Sequence, residues 1–304
     1  MIGKINGRKL KSIKLLLLLL PFLAFVAIFS YVPLFGWSFA FFKYNPAMKL
    51  SQMKFVGWYN FTALFRYSGA FKTVIVDTLG ISGLSLICTV LPVIFAILLS
   101  QIPGKKYGRV IQTVTTIPNF ISWVLVYSVT FSLFAPNTGI VNQLLMKAGI
   151  ISAPFDLLGN VNGAWFVQTG IGIWKSLGWA AIVYLAAMAG IDQELYEAAG
   201  IDGAGRFQTI LHITLPGLAN TYFVLLLLAI SNILSNGFEQ FWVFSNALTV
   251  NKLEVFDTYV YRLAMVNSQY SFSTAMSVMK SVVSIGLLFG ANRLSKLIRG
   301  EGIV

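Results

Sequence analysis

The sequence is poor in the side chains from which enzymes build catalytic and metal sites. Its 304 residues include one cysteine, Cys88, one histidine, His212, and ten acidic residues in all. A single cysteine cannot form a disulfide within the chain, and a Cys/His metal site is out of reach. The apolar runs contain no paired carboxylates, no nucleophile with a neighbouring base, and almost no acidic residues. A membrane enzyme and an ion-coupled secondary transporter are therefore disfavoured.

Charged side chains are also scarce. They make up 11% of the sequence against 57% hydrophobic residues, and the mean hydropathy is +0.77, whereas a soluble domain carries about 25% charged residues. This excess is typical of a chain that faces lipid, because a soluble protein must cover its surface with polar groups.

The formal charge of +12 can indicate nucleic-acid binding. Basic residues that face anionic lipid at the cytoplasmic ends of membrane helices explain it better. We expect membrane lipid as a partner and no nucleic acid.

Long apolar runs predict an all-α polytopic membrane protein with six transmembrane helices, since a span takes about 20 apolar residues and lipid leaves the backbone no partner outside a helix or closed barrel. The first run is preceded by basic residues, like a signal peptide. It is longer than a signal h-region and no cleavage site follows, so we interpret it as a retained span. Pro21, Pro33, Pro92 and Pro118 lie in or near the runs and can kink the helices. The six runs are 13–36, 74–100, 111–134, 165–189, 217–235 and 274–296.

The distribution of Lys and Arg predicts that both termini lie inside (N-in/C-in). Six spans place both termini on one side, and basic residues are denser in the segments that this orientation puts in the cytoplasm, among them 101–110 (QIPGKKYGRV). The segment 37–73 argues against it because it carries five basic residues. Long translocated segments obey the positive-inside rule weakly, so the prediction stands.

The segment 190–216 between the fourth and fifth runs is too polar to enter lipid, and its last part reads YEAAGIDGAGRFQTILHITLP. Asp192 can cap a short helix, and Glu194 favours the positive end of that helix. Gly203 and its neighbouring glycines allow a sharp turn. A second helix with an apolar face follows, and Pro216 suits the start of the next span. Its exposed apolar groups imply a protein partner.

This segment closely resembles the EAA loop of binding-protein-dependent ABC importers, in which an EAA triplet is followed by DGA and then by LP. Glu197-Ala198-Ala199, Asp202-Gly203-Ala204 and Leu215-Pro216 stand in that register. The resemblance covers most of the chain and is greatest to carbohydrate permeases of the maltose-type class, in its polysaccharide-type branch. The other matching pieces are YVPLFGWSFAF (31–41), VGWYNF (56–61), QTVTTIPNFISWV (112–124), IWKSLGWAAIVYLAAMAGID (173–192) and DTYVYR (257–262).

The resemblance implies a type I ABC importer permease fold and a transport subunit that is not an enzyme. It also implies a second homologous permease, an ABC ATPase pair and an extracytoplasmic sugar-binding protein as partners. The sequence contains no GxxxxGK[ST] pattern. We therefore expect no cofactor on this chain, with ATP and Mg²⁺ handled by the partner ATPase. The implied ATPase-coupling residues are Tyr196, Glu197, Ala198, Ala199, Asp202, Gly203, Ala204 and Phe207.

Within the implied loop, Glu197 is expected to anchor in the groove of the ATPase, the alanines to form a close-contact face, and Gly203 to act as the hinge. Residues 1–73 are expected to hold the cytoplasmic N-terminal segment, the first span and an extracytoplasmic loop. Residues 74–298 would form the ABC type-1 transmembrane domain of five helices, and 299–304 a cytoplasmic tail. A permease for peptides or other solutes is the alternative function, because importers of many kinds share the EAA loop.

Alignment on the EAA and LP elements carries the substrate positions of the maltose-type class onto this chain. The amides of Asn232 and Asn236 lie four residues apart, on one helix face, and can either face the pathway or hydrogen-bond between helices. Lys175 can either pair with an acidic sugar in a wet cavity or reach the interface. Ala229 and Ile233 depart from a polar sugar site. The predicted substrate-pathway residues are Gly172, Lys175, Ser176, Trp179, Asn232 and Asn236.

Overall fold

The chain is described by a computed structural model that covers residues 3–66 and 68–299. Of the predicted tail 299–304, only Arg299 lies within the described residues, and residues 1, 2 and 67 lie outside them. The backbone is almost entirely helical, apart from one isolated bridge between Phe42 and Phe55. The α-helices of the described residues are α1 Gly3–Val26, α2 Tyr59–Arg66, α3 Ser68–Ile87, α4 Val90–Ser100, α5 Lys105–Thr116, α6 Trp123–Phe134, α7 Ile140–Lys147, α8 Ala164–Ala189, α9 Gln193–Ile201, α10 Arg206–Thr209, α11 Leu215–Ser231, α12 Phe238–Phe244, α13 Val250–Leu253, α14 Phe256–Tyr261 and α15 Tyr270–Arg299.

Five helical segments of the described chain are long and apolar enough to cross a membrane, and a bent pair of helices makes a sixth if the pair is counted as one span. The number of predicted spans is therefore matched only if the bent pair counts as one. Two of these segments each contain two α-helices joined by a short turn that is not α-helical: α3 and α4 in one, α10 and α11 in the other. The five segments are Leu15–Phe41, Gly69–Ser100, Ala164–Ala189, Arg206–Ser231 and Tyr270–Leu297.

The third predicted span, 111–134, is not one straight helix. Its two parts, Lys106–Phe120 and Trp123–Phe134, meet at an angle of 104°. The first part ends in a 3₁₀ turn that contains Pro118, and proline cannot continue the backbone hydrogen bonding of the turn before it. Ser122 then starts α6 by accepting a hydrogen bond from the Leu125 amide at 3.4 Å, as an N-cap serine does. The proline and the cap together place the break.

The fifth crossing begins earlier than predicted. We expected it from residue 217, but the helix is continuous from Arg206 to Ser231. A π-helical turn, Ile210–Thr214, joins α10 to α11, and the Leu215 amide reaches back to the Ile210 carbonyl. Pro216 removes one donor just beyond this turn, and one widened turn keeps the helix running. The second half of the polar segment is thus the start of the span itself.

The described residues form two compact units. The first contains residues 3–66 and 260–279. Its buried centre is made by Ala40, Phe61 and Ala275. The Asn60 side-chain amide donates to the Ala40 carbonyl at 2.7 Å, which fixes the chain after the first crossing against α2.

The second unit contains residues 68–259 and 280–299, and α8 is its central helix. It packs against α3, α4, α5 and α11. Gly178 lies where α8 meets the end of α5, and a Cβ atom built there would lie 2.2 Å from the Thr115 carbonyl oxygen. Only glycine permits this approach of two backbones. A cluster around Tyr184, Ala181 and Leu218 ties α8 to α4 and α11.

Candidate functional site: the EAA loop and a polar cavity

The EAA loop, residues 190–216, begins with a capped helix. Asp192 is the N-cap of α9, and its Oδ1 accepts a hydrogen bond from the Glu194 amide at 3.0 Å. The carboxylates of both residues lie at the positive end of the helix, where negative charge is favourable. The cap predicted from the sequence is confirmed.

The helix ends in a Schellman motif that needs a glycine. The Ala204 amide donates to the Ala199 carbonyl at 2.9 Å and the Gly203 amide to the Gly200 carbonyl at 3.2 Å, the two bonds that define this motif. Gly203 has a φ of +72°, a left-handed conformation in which a Cβ atom is costly. The predicted sharp turn at Gly203 is confirmed, and its cause is the end of α9.

Apolar side chains of the loop are exposed. Ile201 is 88% and Phe207 76% exposed, and Glu197 and Ala198 are exposed beside them, whereas Ala199 and Ala204 are half-buried. Two large apolar groups at the apex of a polar segment are typical of a protein-binding surface. Tyr196 points the other way, and its hydroxyl lies 3.1 Å from the Thr214 hydroxyl. This contact joins α9 to the helix that continues into the fifth crossing.

A cavity of about 490 Å³ lies within the second unit, between α3, α4, α8, the end of α11 and α12. Its wall contains many amides and hydroxyls, and none of the described residues that line it is charged. Aromatic side chains contribute at Trp123 and Phe241, and Cys88 lies in the wall. The polar lining residues are Ser82, Ser85, Thr89, Gln168, Thr169, Ser176, Asn232, Ser235, Asn236 and Gln240.

Four of the six predicted pathway residues, Gly172, Ser176, Asn232 and Asn236, lie together in this wall. Ala229 and Ile233 lie there too, so the lining is partly apolar. The Gly172 position faces Gln240 across ordinary contact distance, since a Cβ atom there would be 3.6 Å from Oε1 of Gln240. That these four residues contact substrate stays a prediction.

The two asparagines differ in their hydrogen bonds. The Asn236 side chain donates to the Ser82 hydroxyl at 2.9 Å and to the Thr78 carbonyl at 3.4 Å, so it joins the segment between α11 and α12 to α3. The exposed Asn232 side chain donates within its own helix, to the Leu228 carbonyl at 2.9 Å. The prediction that the two amides lie on one helix face is wrong, because α11 ends at Ser231. Asn236 makes a contact with a separate helix, α3, whereas the bond of Asn232 stays local.

Lys175 and Trp179 are not in the cavity wall. Lys175 is 8% exposed, and its ammonium group donates to the Asn119 carbonyl at 2.8 Å. It therefore neither lines the cavity nor reaches the interface. Trp179 is 51% exposed and packs edge-to-face on Phe120, with ring centroids 5.7 Å apart.

Two prominent wall residues, Trp123 and Gln168, were not predicted. Trp123 lies at the break of the third crossing, and Gln168 and Gln240 form a buried amide pair, with the Gln240 Nε2 atom 3.0 Å from Gln168 Oε1. The signal available was polarity: both glutamines lie inside or beside apolar runs. An amide in such a place must find a partner or face a wet cavity. The argument holds for these glutamines as well as for Asn232 and Asn236, for which alone it was made from the sequence.

Comparison with known proteins identifies the family. Residues 89–300 match the family described as "Binding-protein-dependent transport system inner membrane component". The chain is 40% identical over 292 residues to the protein LplB of Bacillus subtilis (strain 168), covering 95% of this chain and 90% of that protein. It is 37% identical over 311 residues to the polygalacturonan/rhamnogalacturonan transport system permease protein YteP of the same organism, covering 99% of this chain and 95% of that protein.

Two solved structures share the fold. A chain of a bacterial ABC transporter involved in the import of the acidic polysaccharide alginate superposes with a TM-score of 0.84 at 32% identity, over 98% of this chain and all of that chain. A chain of the bacterial alginate ABC transporter in complex with an alginate pentasaccharide-bound periplasmic protein gives 0.86 at 33% identity, over 99% of both chains. These matches confirm the predicted fold and family. The chain is a multi-pass membrane permease that belongs to the inner-membrane components of binding-protein-dependent transport systems.

Proposed function

We propose that this chain forms half of the translocation pathway of an ATP-driven importer for oligosaccharides or polysaccharide fragments. The uncharged cavity, whose wall combines amides and hydroxyls with aromatic and aliphatic side chains, carries the proposal. Amides and hydroxyls can exchange hydrogen bonds with sugar hydroxyls, and aromatic rings can pack on the C–H faces of pyranoses. The substrates for which YteP and the alginate importers are named, polygalacturonan, rhamnogalacturonan and alginate, belong to this class. The alternative, a peptide permease, gains no support from these relatives.

The same proposal assigns the partners. A second homologous permease would supply the other half of the pathway, an extracytoplasmic sugar-binding protein would deliver substrate, and a separate ABC ATPase pair would bind ATP and Mg²⁺. The EAA loop would dock on the ATPase through Glu197, Ala198 and the exposed apolar pair Ile201 and Phe207. The segment divisions 1–73, 74–298 and 299–304 and the N-in/C-in orientation belong to this proposal.

The coupling role is tested by replacing Gly203 with Asp. A side chain at a φ of +72° disturbs the turn that presents α9 and adds a charge to the proposed contact. We expect normal insertion and ATP hydrolysis by the purified assembly, with sugar uptake lost. Gly200→Ala is the control, because Gly200 lies within α9 and nothing comes within 4 Å of its added Cβ. Normal uptake by Gly203→Asp would contradict the assignment.

Orientation is tested by placing a cysteine at Gln208 after replacing Cys88 with Ser. Gln208 is exposed, so a membrane-impermeant maleimide should label it only after the cells are opened. Labelling in intact cells would contradict a cytoplasmic EAA loop. Purification of the tagged chain should also recover an ATP-binding chain.

The cavity is tested through its natural thiol. Cys88 is the only cysteine of the sequence and lies in the cavity wall. A bulky methanethiosulfonate reagent should lower uptake by the wild-type importer in proteoliposomes, and the Cys88→Ser variant should be insensitive. A wild-type importer whose thiol is modified but whose uptake is unchanged would count against this cavity as the pathway.

A further inference from the structure

Trp123 has an unusual position in the polar cavity. It is the first residue of α6, directly after the 104° break of the third crossing, and its side chain forms part of the wall. The break turns this residue out of the line of α5. An indole ring in a wall of amides and hydroxyls matches the two needs of pyranose binding, a flat apolar surface and hydrogen-bonding groups around it.

Lys175 lies next to this ring and outside the wall. Its ammonium group is 5.2 Å from the centroid of the Trp123 ring, within the range of a cation–π contact. The same group donates to the Asn119 carbonyl in the turn just before the break. One buried cation thus contacts both the backbone of the break and the ring that follows it.

A third contact helps to fix the position of the Trp123 ring. The buried Phe244 side chain of α12 packs edge-to-face on Trp123, with ring centroids 6.4 Å apart. The ring therefore has a cation and an aromatic edge as neighbours in addition to the cavity. Both contacts restrict its rotation, and a ring that is already ordered loses little entropy when it binds a ligand.

We propose that Trp123 is a stacking platform for the pyranose units of the transported saccharide, and that Lys175 is the positioning residue that holds it. This inference rests on the proposed function. In this arrangement the Lys175 ammonium group lies behind the cavity wall. It holds the Trp123 ring in place and makes no ion pair with an acidic sugar. It also assigns the aromatic contact to Trp123, which lies in the wall, and not to Trp179, which lies outside it.

The test uses the complete importer with its binding protein in proteoliposomes, and a panel of malto-, xylo- and galacturono-oligosaccharides of three to five units. We expect Trp123→Phe to keep uptake within about threefold and Trp123→Leu to lose at least about tenfold, mainly through a higher KM, since leucine fills space without a flat face. Trp174→Leu is the matched control. Trp174 is a half-exposed tryptophan of α8 outside this wall, and its replacement should leave uptake unchanged.

The positioning role has its own measurements. Lys175→Met should raise KM about threefold to tenfold, and Lys175→Arg should restore it, because arginine keeps the cation and the donor. Saccharide should change the tryptophan fluorescence of the wild-type assembly, and this change should be absent in Trp123→Phe. Co-purification of the permease pair and ATPase shows whether each variant assembles.

The outcomes separate the two proposals. A wild-type importer that takes up no member of the panel would overturn the proposed function, and this inference with it. Uptake by the wild type with equal KM in Trp123→Leu would overturn only the stacking role. An assembled Lys175→Met variant with normal KM and an unchanged fluorescence response would overturn the positioning role of the lysine.

Discussion

The EAA loop and the polar cavity are held together in opposite ways. The turn that ends α9 is fixed by hydrogen bonds between residues no more than five positions apart, such as Ala204 to Ala199. The cavity wall joins residues far apart in sequence, since Asn236 bonds Ser82, 154 positions away. The loop should therefore be sensitive to local backbone changes and the cavity to changes in helix packing.

The largest effect is expected where α8 packs on α5. Gly178→Ala would put a Cβ atom 2.2 Å from the Thr115 carbonyl oxygen, and overpacking of this kind costs about 1–3 kcal/mol, here at the upper end because backbone must move. The midpoint of thermal unfolding of the purified assembly should fall clearly. Gly170→Ala on the same helix has open space and should be neutral or slightly stabilising. Equal midpoints for the two variants would contradict the claim that close packing of α8 on α5 stabilises the unit that holds the cavity.

The two asparagines test whether contacts between residues far apart in sequence stabilise the cavity wall. Asn236→Leu removes the hydrogen bond that joins the segment after α11 to Ser82 of α3 and should cost about 1–2 kcal/mol, seen as a lower unfolding midpoint. Asn232→Leu removes a bond within one helix and should cost less stability while raising the KM for saccharide. The opposite pattern, with Asn232→Leu the less stable protein, would contradict the assignment of the stabilising contact to Asn236 and Ser82.

The glycines in and after α9 test whether the EAA loop is sensitive to local backbone changes. Gly203→Ala places a Cβ at a φ of +72° and should destabilise the end of α9 by about 1 kcal/mol. Gly200→Ala, inside the helix, should stabilise it by up to about 1 kcal/mol. Hydrogen exchange of the α9 amides measures both effects. Unfolding of the cavity helices should be unaffected, and a shift there in Gly203→Ala would show that loop and cavity are not independent.

The smallest effect is expected at the start of the loop. Asp192→Ala removes the side chain that accepts from the Glu194 amide, and loss of an exposed N-cap costs about 0.5–1 kcal/mol. Faster exchange of the first α9 amides should report it. Gln193→Ala changes the neighbouring residue and keeps the cap, so it should leave those exchange rates nearly unchanged. Faster exchange in both variants would mean that the cap is not the cause.

The same contrast explains how much of the molecule the sequence predicts. The cap at Asp192 and the turn at Gly203 follow from residue types a few positions apart, and both are confirmed. The break after Pro118 and the early start of the fifth crossing at Arg206 depend on how a proline is accommodated, which hydropathy alone does not decide. The helix ends at the turn that contains Pro118, whereas a π-helical turn just before Pro216 lets the helix continue through it.

The cavity wall is harder to predict because it depends on which helix faces meet. Gly172, Ser176, Asn232 and Asn236 were placed by alignment and do lie in one wall, but Lys175 and Trp179 from the same stretch of α8 do not. Within a helix that is apolar all round, the facing direction is set by neighbours such as the Gly178–Thr115 contact, and no periodic pattern marks it. Trp123 enters the wall only because the third crossing is bent.

The uninterrupted helix from Arg206 to Ser231 has a mechanical consequence. Its 26 residues form a rod about 39 Å long, at 1.5 Å for each residue. If the rod tilts as a rigid body by about 5°, its far end moves by about 3 Å, comparable to the length of a hydrogen bond. A small displacement imposed on the exposed Phe207 end would thus be delivered, through one continuous helix that includes the π-helical turn, to the turn that carries Asn232.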